Sequence, residues 1–272
     1  MPRHRLTLAY EGTSFHGWQR QFVREGAAPV SGVVDRDTGR DGFVELRTVQ
    51  WAIGSAVFDV FRERAHVQGA SRTDAGVHAR AQTAAFTVSG ERGPADGRVA
   101  MALNSRLPAD VLVTDCARAH DEFDPIADCE SKGYRYTVAS TPVRPLWDRR
   151  TVWHVREELD VGAMREAGAA LAGEHDFAGF ARAKHGREST VRTVHACDVR
   201  DEPREGGGRT VWIDVSGDGF LYNMVRIIAG TLVEVGRGRI DTARVRGALA
   251  SGDRRLAGPT LGPEGLCLMW MR

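Results

Sequence analysis

Segments of two-residue hydrophobic period alternate with segments of 3.6-residue period along this chain, and much the same order of strands and helices runs through it twice. His4 to Tyr10 places Leu6, Leu8 and Tyr10 on one face of a strand. From Val49 onward, Ile53, Ala56, Val57, Val60 and Phe61 mark an amphipathic helix. A strand is expected near Val67, another through Gln82, Ala84, Phe86 and Val88, a helix over Val99 to Leu107 and a strand over Val111 to Cys116. In the second half, Tyr134, Tyr136 and Val138 share a strand face, and Asp160 is placed to cap a helix carrying Val161, Met164 and Leu171, with Gly173 as its end. Thr193–Arg200 and Arg209–Val215 flank three glycines and predict a hairpin. Asn223 to Val235 reads as a helix with Met224, Ile228, Leu232 and Val235 in one stripe and Gly236 as its stop. Asp241 caps a further helix through Leu249, and Leu266 to Met271 forms a last strand. The stretch 22–46, with four glycines and no clear period, reads as a long excursion or flexible loop. Interleaved strands and helices with hairpin signals predict an α+β fold of two similar domains, 1–120 and 121–272, each a mostly antiparallel sheet with helices on one face.

Bulk properties narrow the function classes without choosing one. Net charge is +1, with 15 basic against 13 acidic residues up to His120 and 22 against 23 beyond it, so neither half is a basic arm. No apolar run is long enough to span a bilayer, and the opening residues lack the apolar centre of a signal peptide, so the protein is expected to stay in the cytoplasm. Cys116, Cys129, Cys197 and Cys267 form no Cys-x-x-Cys pair and read as reduced thiols. No His-Glu-x-x-His and no dinucleotide fingerprint after a strand is present, which disfavours a zinc hydrolase and a Rossmann dehydrogenase.

The segment Gly69-Ala70-Ser71-Arg72-Thr73-Asp74-Ala75-Gly76-Val77-His78-Ala79 carries the chemistry. Small residues around Arg72 and Asp74 let another molecule approach the backbone and leave a carboxylate and a guanidinium projecting from a tight turn. An aspartate in a glycine-rich turn often does no more than bind its own backbone, so this turn alone does not define a site.

Arg72 to Ala79 closely resembles the signature of the TruA-type tRNA pseudouridine synthases. Gly17-Trp18-Gln19-Arg20-Gln21, Arg47-Thr48-Val49-Gln50, Leu103-Asn104-Ser105-Arg106-Leu107-Pro108, Lys132-Gly133-Tyr134-Arg135-Tyr136, Phe220 to Arg226, and Gly258-Pro259-Thr260 through Gly265-Leu266 resemble further motifs of that family, in the family's order. The likeness spans nearly the whole chain apart from 22–46. It implies an active-site cleft between the two domains and isomerisation of uridine to pseudouridine, with neither cofactor nor metal. It also implies the tRNA anticodon arm, positions 38–40, as substrate, and a homodimer.

The same resemblance assigns Asp74 as the catalytic carboxylate and Arg226 as the cation that keeps it ionised; an arginine beside an aspartate lowers its pKa by roughly 1–3 units. Helical period puts Arg226 opposite the Met224–Ile228–Leu232 stripe. Tyr134 resembles the active-site tyrosine whose ring stacks on the freed uracil, Leu266 the residue on the base's other side, and Arg72 the residue that fills the space left by an extruded nucleotide. Tyr136 reads as core. Arg20 and Arg24, with Lys184 and Arg187 in the run Arg182 to Arg187, are expected to grip RNA.

Two departures from the family bear on the substrate. Phe123-Asp124-Pro125-Ile126 stands where the family has an aromatic followed by a basic residue, and 22–46 is longer than the usual connection. The rivals are a relative acting on another RNA or a small uridine compound, and a non-catalytic RNA-binding protein on the same scaffold.

Overall fold

A computed structural model describes residues 1–27, 33–35, 41–182 and 188–272. The fold is mixed α+β, with mostly antiparallel strand pairing, and it divides into two compact units. One comprises Met1–Glu130 with Leu268–Met271, the other Ser131–Cys267 with Arg272.

In the first unit, β1 (Arg3–Tyr10) is followed by three short strands, β2 (Phe22–Arg24), β3 (Val33–Asp35) and β4 (Phe43–Leu46). Then come α1 (Val49–Phe61), β5 (Gln68–Gly69), β6 (His78–Thr87), α2 (Val99–Asn104) and β7 (Val111–Ala119). β1 lies between β6 and β7, antiparallel to both, and β5 pairs with the far end of β6. Register puts His4, Leu6 and Leu8 opposite Phe86, Ala84 and Gln82, all 2% exposed or less. Thr48 caps α1 by accepting from the Trp51 N–H, and Arg62 in the left-handed region closes it. That end sets Phe61 against His4 and Phe86, with ring centroids 5.9 and 5.7 Å away. The Asn104 carboxamide both donates to and accepts from the Val113 backbone, tying α2 to β7.

The segment expected to be a loop, 22–46, instead carries a small antiparallel sheet in the order β2-β4-β3. Its strands are only three or four residues long, too short for a period to stand out, although Phe22, Val23, Val33, Val34, Phe43 and Val44 supply the β-favouring side chains.

The second unit contains β8 (Lys132–Ser140), β9 (Trp153–Val155), α3 (Val161–Ala169), β10 (Gly173–Asp176), β11 (Val191–Pro203), β12 (Arg209–Gly217), α4 (Met224–Gly236) and α5 (Thr242–Ser251). The last strand is β13 (Leu266–Met271). Strand order is β10-β11-β12-β8, antiparallel throughout, with β9 parallel to β8. Tyr134, Tyr136 and Val138 stand opposite Val215, Ile213 and Val211, and all six are buried. Asp160 and Asp241 cap α3 and α5 as expected. β9 and β10 were not expected, and Gly173, read as a helix end, opens β10 with φ +114°.

The helix α4 corrects the single-stripe reading. Val225, Ile227, Ala229, Thr231 and Val233 are buried along with the stripe, and only Arg226 and Glu234 are partly exposed. The reason is a crossing of the chain over α4: a Cβ on Gly230 would lie 1.9 Å from the Pro259 carbonyl oxygen, and one on Gly258 would lie 2.6 Å from the Thr231 backbone. The helix runs through Gly236 and turns at Gly238, whose φ is +68°. No helix among the described residues is long and apolar enough to cross a membrane.

Candidate active site

The turn from Ala70 to Val77 joins β5 to β6, and its backbone is held from several directions. At one end the Ala70 N–H reaches the Thr83 carbonyl at 2.8 Å. The buried Gln82 carboxamide then takes both polar groups of Ser71, accepting from its N–H at 3.2 Å and donating to its carbonyl at 2.6 Å. Tyr10 and Thr73 share a hydroxyl hydrogen bond of 2.8 Å. The Thr73 carbonyl accepts from the Trp18 N–H at 3.0 Å, and the Gly76 N–H donates to Phe15 at 3.2 Å. His78 Nδ1 accepts from the Gly12 N–H at 2.9 Å. The result is a rigid arch on which Arg72 is exposed and Asp74 half-buried.

Three separated sequence motifs meet at this arch. Gly17, with φ +88°, passes so close that a Cβ there would lie 2.8 Å from the Thr73 carbonyl oxygen. Trp18, 2% exposed, fills the space beside Gly69, where a Cβ would lie 2.3 Å from the indole. Arg47 and Gln50 carry the 47–50 motif onto the 17–20 motif. The Val49 and Gln50 N–H groups donate to Gly17 and Trp18, while the Gln50 carboxamide accepts from the Arg20 N–H and donates to Val67. Arg47 pairs bidentately with Asp110 at 2.8 and 2.9 Å and lies 3.9 Å from the Phe15 ring centroid. The residues that look like a family signature along the sequence are thus a supporting frame for one turn.

The departure at Asp124 has a local role. Its carboxylate accepts from the Gln68 carboxamide and from the Ile126 and Ala127 N–H groups, and these bonds, that of Gln68 foremost, hold it below the usual carboxylate range. Gln68 belongs to β5, so Asp124 braces the root of the arch.

In the second unit the Tyr134 ring is 8% exposed and meets Phe220 edge-on, with centroids 5.4 Å apart. Arg226 is the third residue of α4, where the helix N-terminus already carries partial positive charge, so the guanidinium adds to that potential. It is fixed in place: Nε donates to the Leu261 carbonyl at 2.8 Å and Nη1 to Asn223 Oδ1 at 2.9 Å. Asn223 itself sits in the left-handed region, φ +63°. Tyr136 is fully buried, as a core residue should be, and its hydroxyl donates to the Gly262 carbonyl at 2.7 Å. Burial, with Glu264 adding and Arg226 opposing, pushes that phenol well above its usual range. Leu266 is buried one residue beyond Gly265, where a Cβ would lie 2.6 Å from the Tyr136 ring. Here too three motifs converge: 132–136, 220–226 and 258–266.

The expected RNA-gripping residues fare differently. Arg20 forms a bidentate ion pair with the buried Glu45 carboxylate. Arg24 is exposed on β2, and Arg182 lies 5.9 Å from the Tyr222 ring centroid. Lys184 and Arg187 lie outside the described residues. Gln82, Asn223, Leu261 and Asp124 were not singled out as site residues; Gln82, Leu261 and Asp124 support the turn or the arginine from 11 to 56 positions away, and Asn223 from three.

A family model described as tRNA pseudouridine synthase matches residues 167–272. The chain is 41% identical over 265 residues to the protein named tRNA pseudouridine synthase A of Pelobacter propionicus, covering 97% of each chain. It is 40% identical over 270 residues to the one of Brevibacillus brevis, covering 99% of this chain and 98% of that one. To tRNA pseudouridine synthase A 2 of Clostridium perfringens it is 35% identical over 264 residues, covering 97% and 96%. The chain belongs to the tRNA pseudouridine synthase A family.

Proposed function

We propose that this protein isomerises uridine to pseudouridine in tRNA, at positions 38–40 of the anticodon arm, with Asp74 as the catalytic carboxylate. The observation that carries this reading is the braced arch itself, which presents Arg72 and Asp74 from a rigid backbone while small neighbours leave room for a nucleotide. Preorganised presentation of this kind is what a reaction at one sugar carbon needs.

The reaction breaks the N1–C1′ bond, turns the uracil and joins C5 to C1′. The C5 proton is lost and N1 gains one, so the sum is an isomerisation without electron transfer. In this reading Asp74 acts on the ribose as nucleophile or base, and it must be ionised to do either. Arg226 supplies the opposing positive charge, and its tethers to Leu261 and Asn223 suit a cation that must hold one place. Tyr134 stacks on the freed base, with Phe220 steadying its ring and Leu266 lining the other side. Arg72, exposed on the arch, takes the space of the extruded nucleotide, which costs a few kcal/mol to unstack. Lys184 and Arg187 contribute charge to RNA binding, whereas the charge of Arg20 is taken up by Glu45. The working form is a cytoplasmic homodimer.

Tritium release from tRNA labelled at uridine C5 tests the reading. Wild type is expected to release tritium and Asp74→Ala to release none. Release from free nucleotide but not from tRNA would transfer the substrate to a small uridine compound. Binding of tRNA without release would leave a binding protein. Mapping pseudouridine in tRNA from cells lacking the gene tests positions 38–40.

A further inference from the structure

The connection from β8 to β9 exposes three large apolar side chains within five residues. Val143 is 79% exposed, Leu146 55% and Trp147 93%, the highest exposure among the large apolar residues described. An indole left in water forgoes a large burial gain, so its presentation calls for a partner.

The loop is built to hold this shape. The Thr141 hydroxyl donates to the Val143 carbonyl at 2.7 Å, and the Arg149 guanidinium donates to the Leu146 carbonyl at 2.9 Å. The Thr151 N–H and hydroxyl both reach the Asp148 carbonyl, at 2.9 and 3.2 Å. His154 Nε2 lies 2.8 Å from the Thr141 carbonyl oxygen, and Pro142 and Pro145 stiffen the run between. A braced loop that points its largest ring outward binds with little ordering cost.

Charge identifies the occupant. Arg144, Arg149 and Arg150 lie within 141–151 against a single acid, Asp148, and Asp148 is ion-paired with Arg204 from the turn of the β11–β12 hairpin. In a chain that is otherwise nearly neutral, this is a local cationic patch around an aromatic platform. Arginines for phosphates and a ring for an unpaired base are the two parts of single-strand RNA recognition. A two-fold contact between copies of the chain through this face would bring two such cationic patches together, which disfavours self-association there. β8 runs about 20 Å from Tyr134 to Ser140, a span that a short RNA stem covers.

We propose that the 141–151 loop is a second RNA-contact surface, on which Trp147 stacks with an unpaired base and Arg144 and Arg149 contact the adjoining phosphates. This rests on the tRNA reading above and adds a contact remote from Tyr134. The test is equilibrium binding of unmodified tRNA to the full-length protein, together with steady-state kinetics. Trp147→Ala is expected to weaken binding roughly tenfold or more and to raise KM, while kcat at saturating tRNA changes less than about twofold; Trp147→Phe is expected to restore most of the affinity. Arg144→Ala is expected to lower the slope of log affinity against log salt by about one.

Equal tRNA affinity in wild type and Trp147→Ala overturns the proposal. So does a Trp147→Ala protein that sediments as a smaller species with tRNA affinity per site unchanged, which would hand the surface to a second copy of the chain. A wild type that binds tRNA yet forms no pseudouridine sinks the enzyme reading and leaves this comparison intact.

Discussion

The Gln82 carboxamide meets both the N–H and the carbonyl of Ser71, two residues from Thr73 and eleven positions away along the chain. A single side chain thereby anchors this stretch of backbone at both a donor and an acceptor. Gln82→Leu keeps the volume and removes both bonds to the half-buried Ser71 backbone, each worth about 0.5–1.5 kcal/mol. Activity at saturating tRNA is expected to fall by more than tenfold, with a lower melting temperature, while tRNA affinity stays close to wild type. Tritium release and thermal unfolding on the same preparation check this. Wild-type turnover in Gln82→Leu would show that the arch does not need the clamp.

Gly17→Ala is expected to damage the same arch from the other side. A Cβ at φ +88° costs about 1–2 kcal/mol in backbone strain, and it would press within 2.8 Å of the Thr73 carbonyl oxygen. Gly26→Ala, where a Cβ meets nothing within 4 Å, is the control. Turnover should drop in the first variant and hold in the second.

Arg226→Lys keeps a positive charge yet loses the planar fork that reaches Leu261 and Asn223 together. A drop in kcat of about a hundredfold, with little change in KM, is the expected result. Asn223→Gly retains the left-handed backbone and removes only the tether to Nη1, so its loss should be smaller than that of Arg226→Lys. The reverse order would detach Arg226 from the chemistry.

His4 gives the first unit a stability that depends on pH. It is 2% exposed, stacks on Phe86 at 5.0 Å, and its Nδ1 has no hydrogen-bond partner among the described residues. Burial lowers its pKa below 6.5, with Asp96 opposing and Arg118 reinforcing the shift. With the folded value depressed, stability is fully present above the unfolded value near 6.5 and is lost as pH falls from there through the folded value, because the unfolded chain binds the proton first. Melting temperature should therefore decline from about pH 6.5 downward in wild type and decline less in His4→Leu. Parallel curves for the two proteins would exclude His4 as the source.

Much of the fold was legible from periodicity where an element buries one face against a neighbour close by in the chain. β1, α1, the β11–β12 hairpin and the caps at Asp160 and Asp241 are of that kind. What was not legible depends on residues far along the chain. α4 is buried on nearly every side because residues 258–261 cross it, and nothing within 223–235 announces that. The 22–46 sheet was missed because three-residue strands carry no period. Gln82 read only as an inward position on a strand, since the two bonds that occupy it come from a turn eleven residues earlier. Asp74, Tyr134 and Arg226 stood out through likeness to a family, because an aspartate in a turn, a strand tyrosine and a helix arginine are each commonplace alone.

The crossing of 258–261 over α4 also orders events during synthesis. Arg226 leaves the ribosome well before Leu261, whose carbonyl receives its Nε, and before Gly258, whose N–H is held by Thr231. A nascent chain stalled short of residue 258 therefore carries the guanidinium on a helix with one side bare to solvent. Arg226 acquires its tether to Leu261 only once residues 258–261 have been made and have crossed the helix.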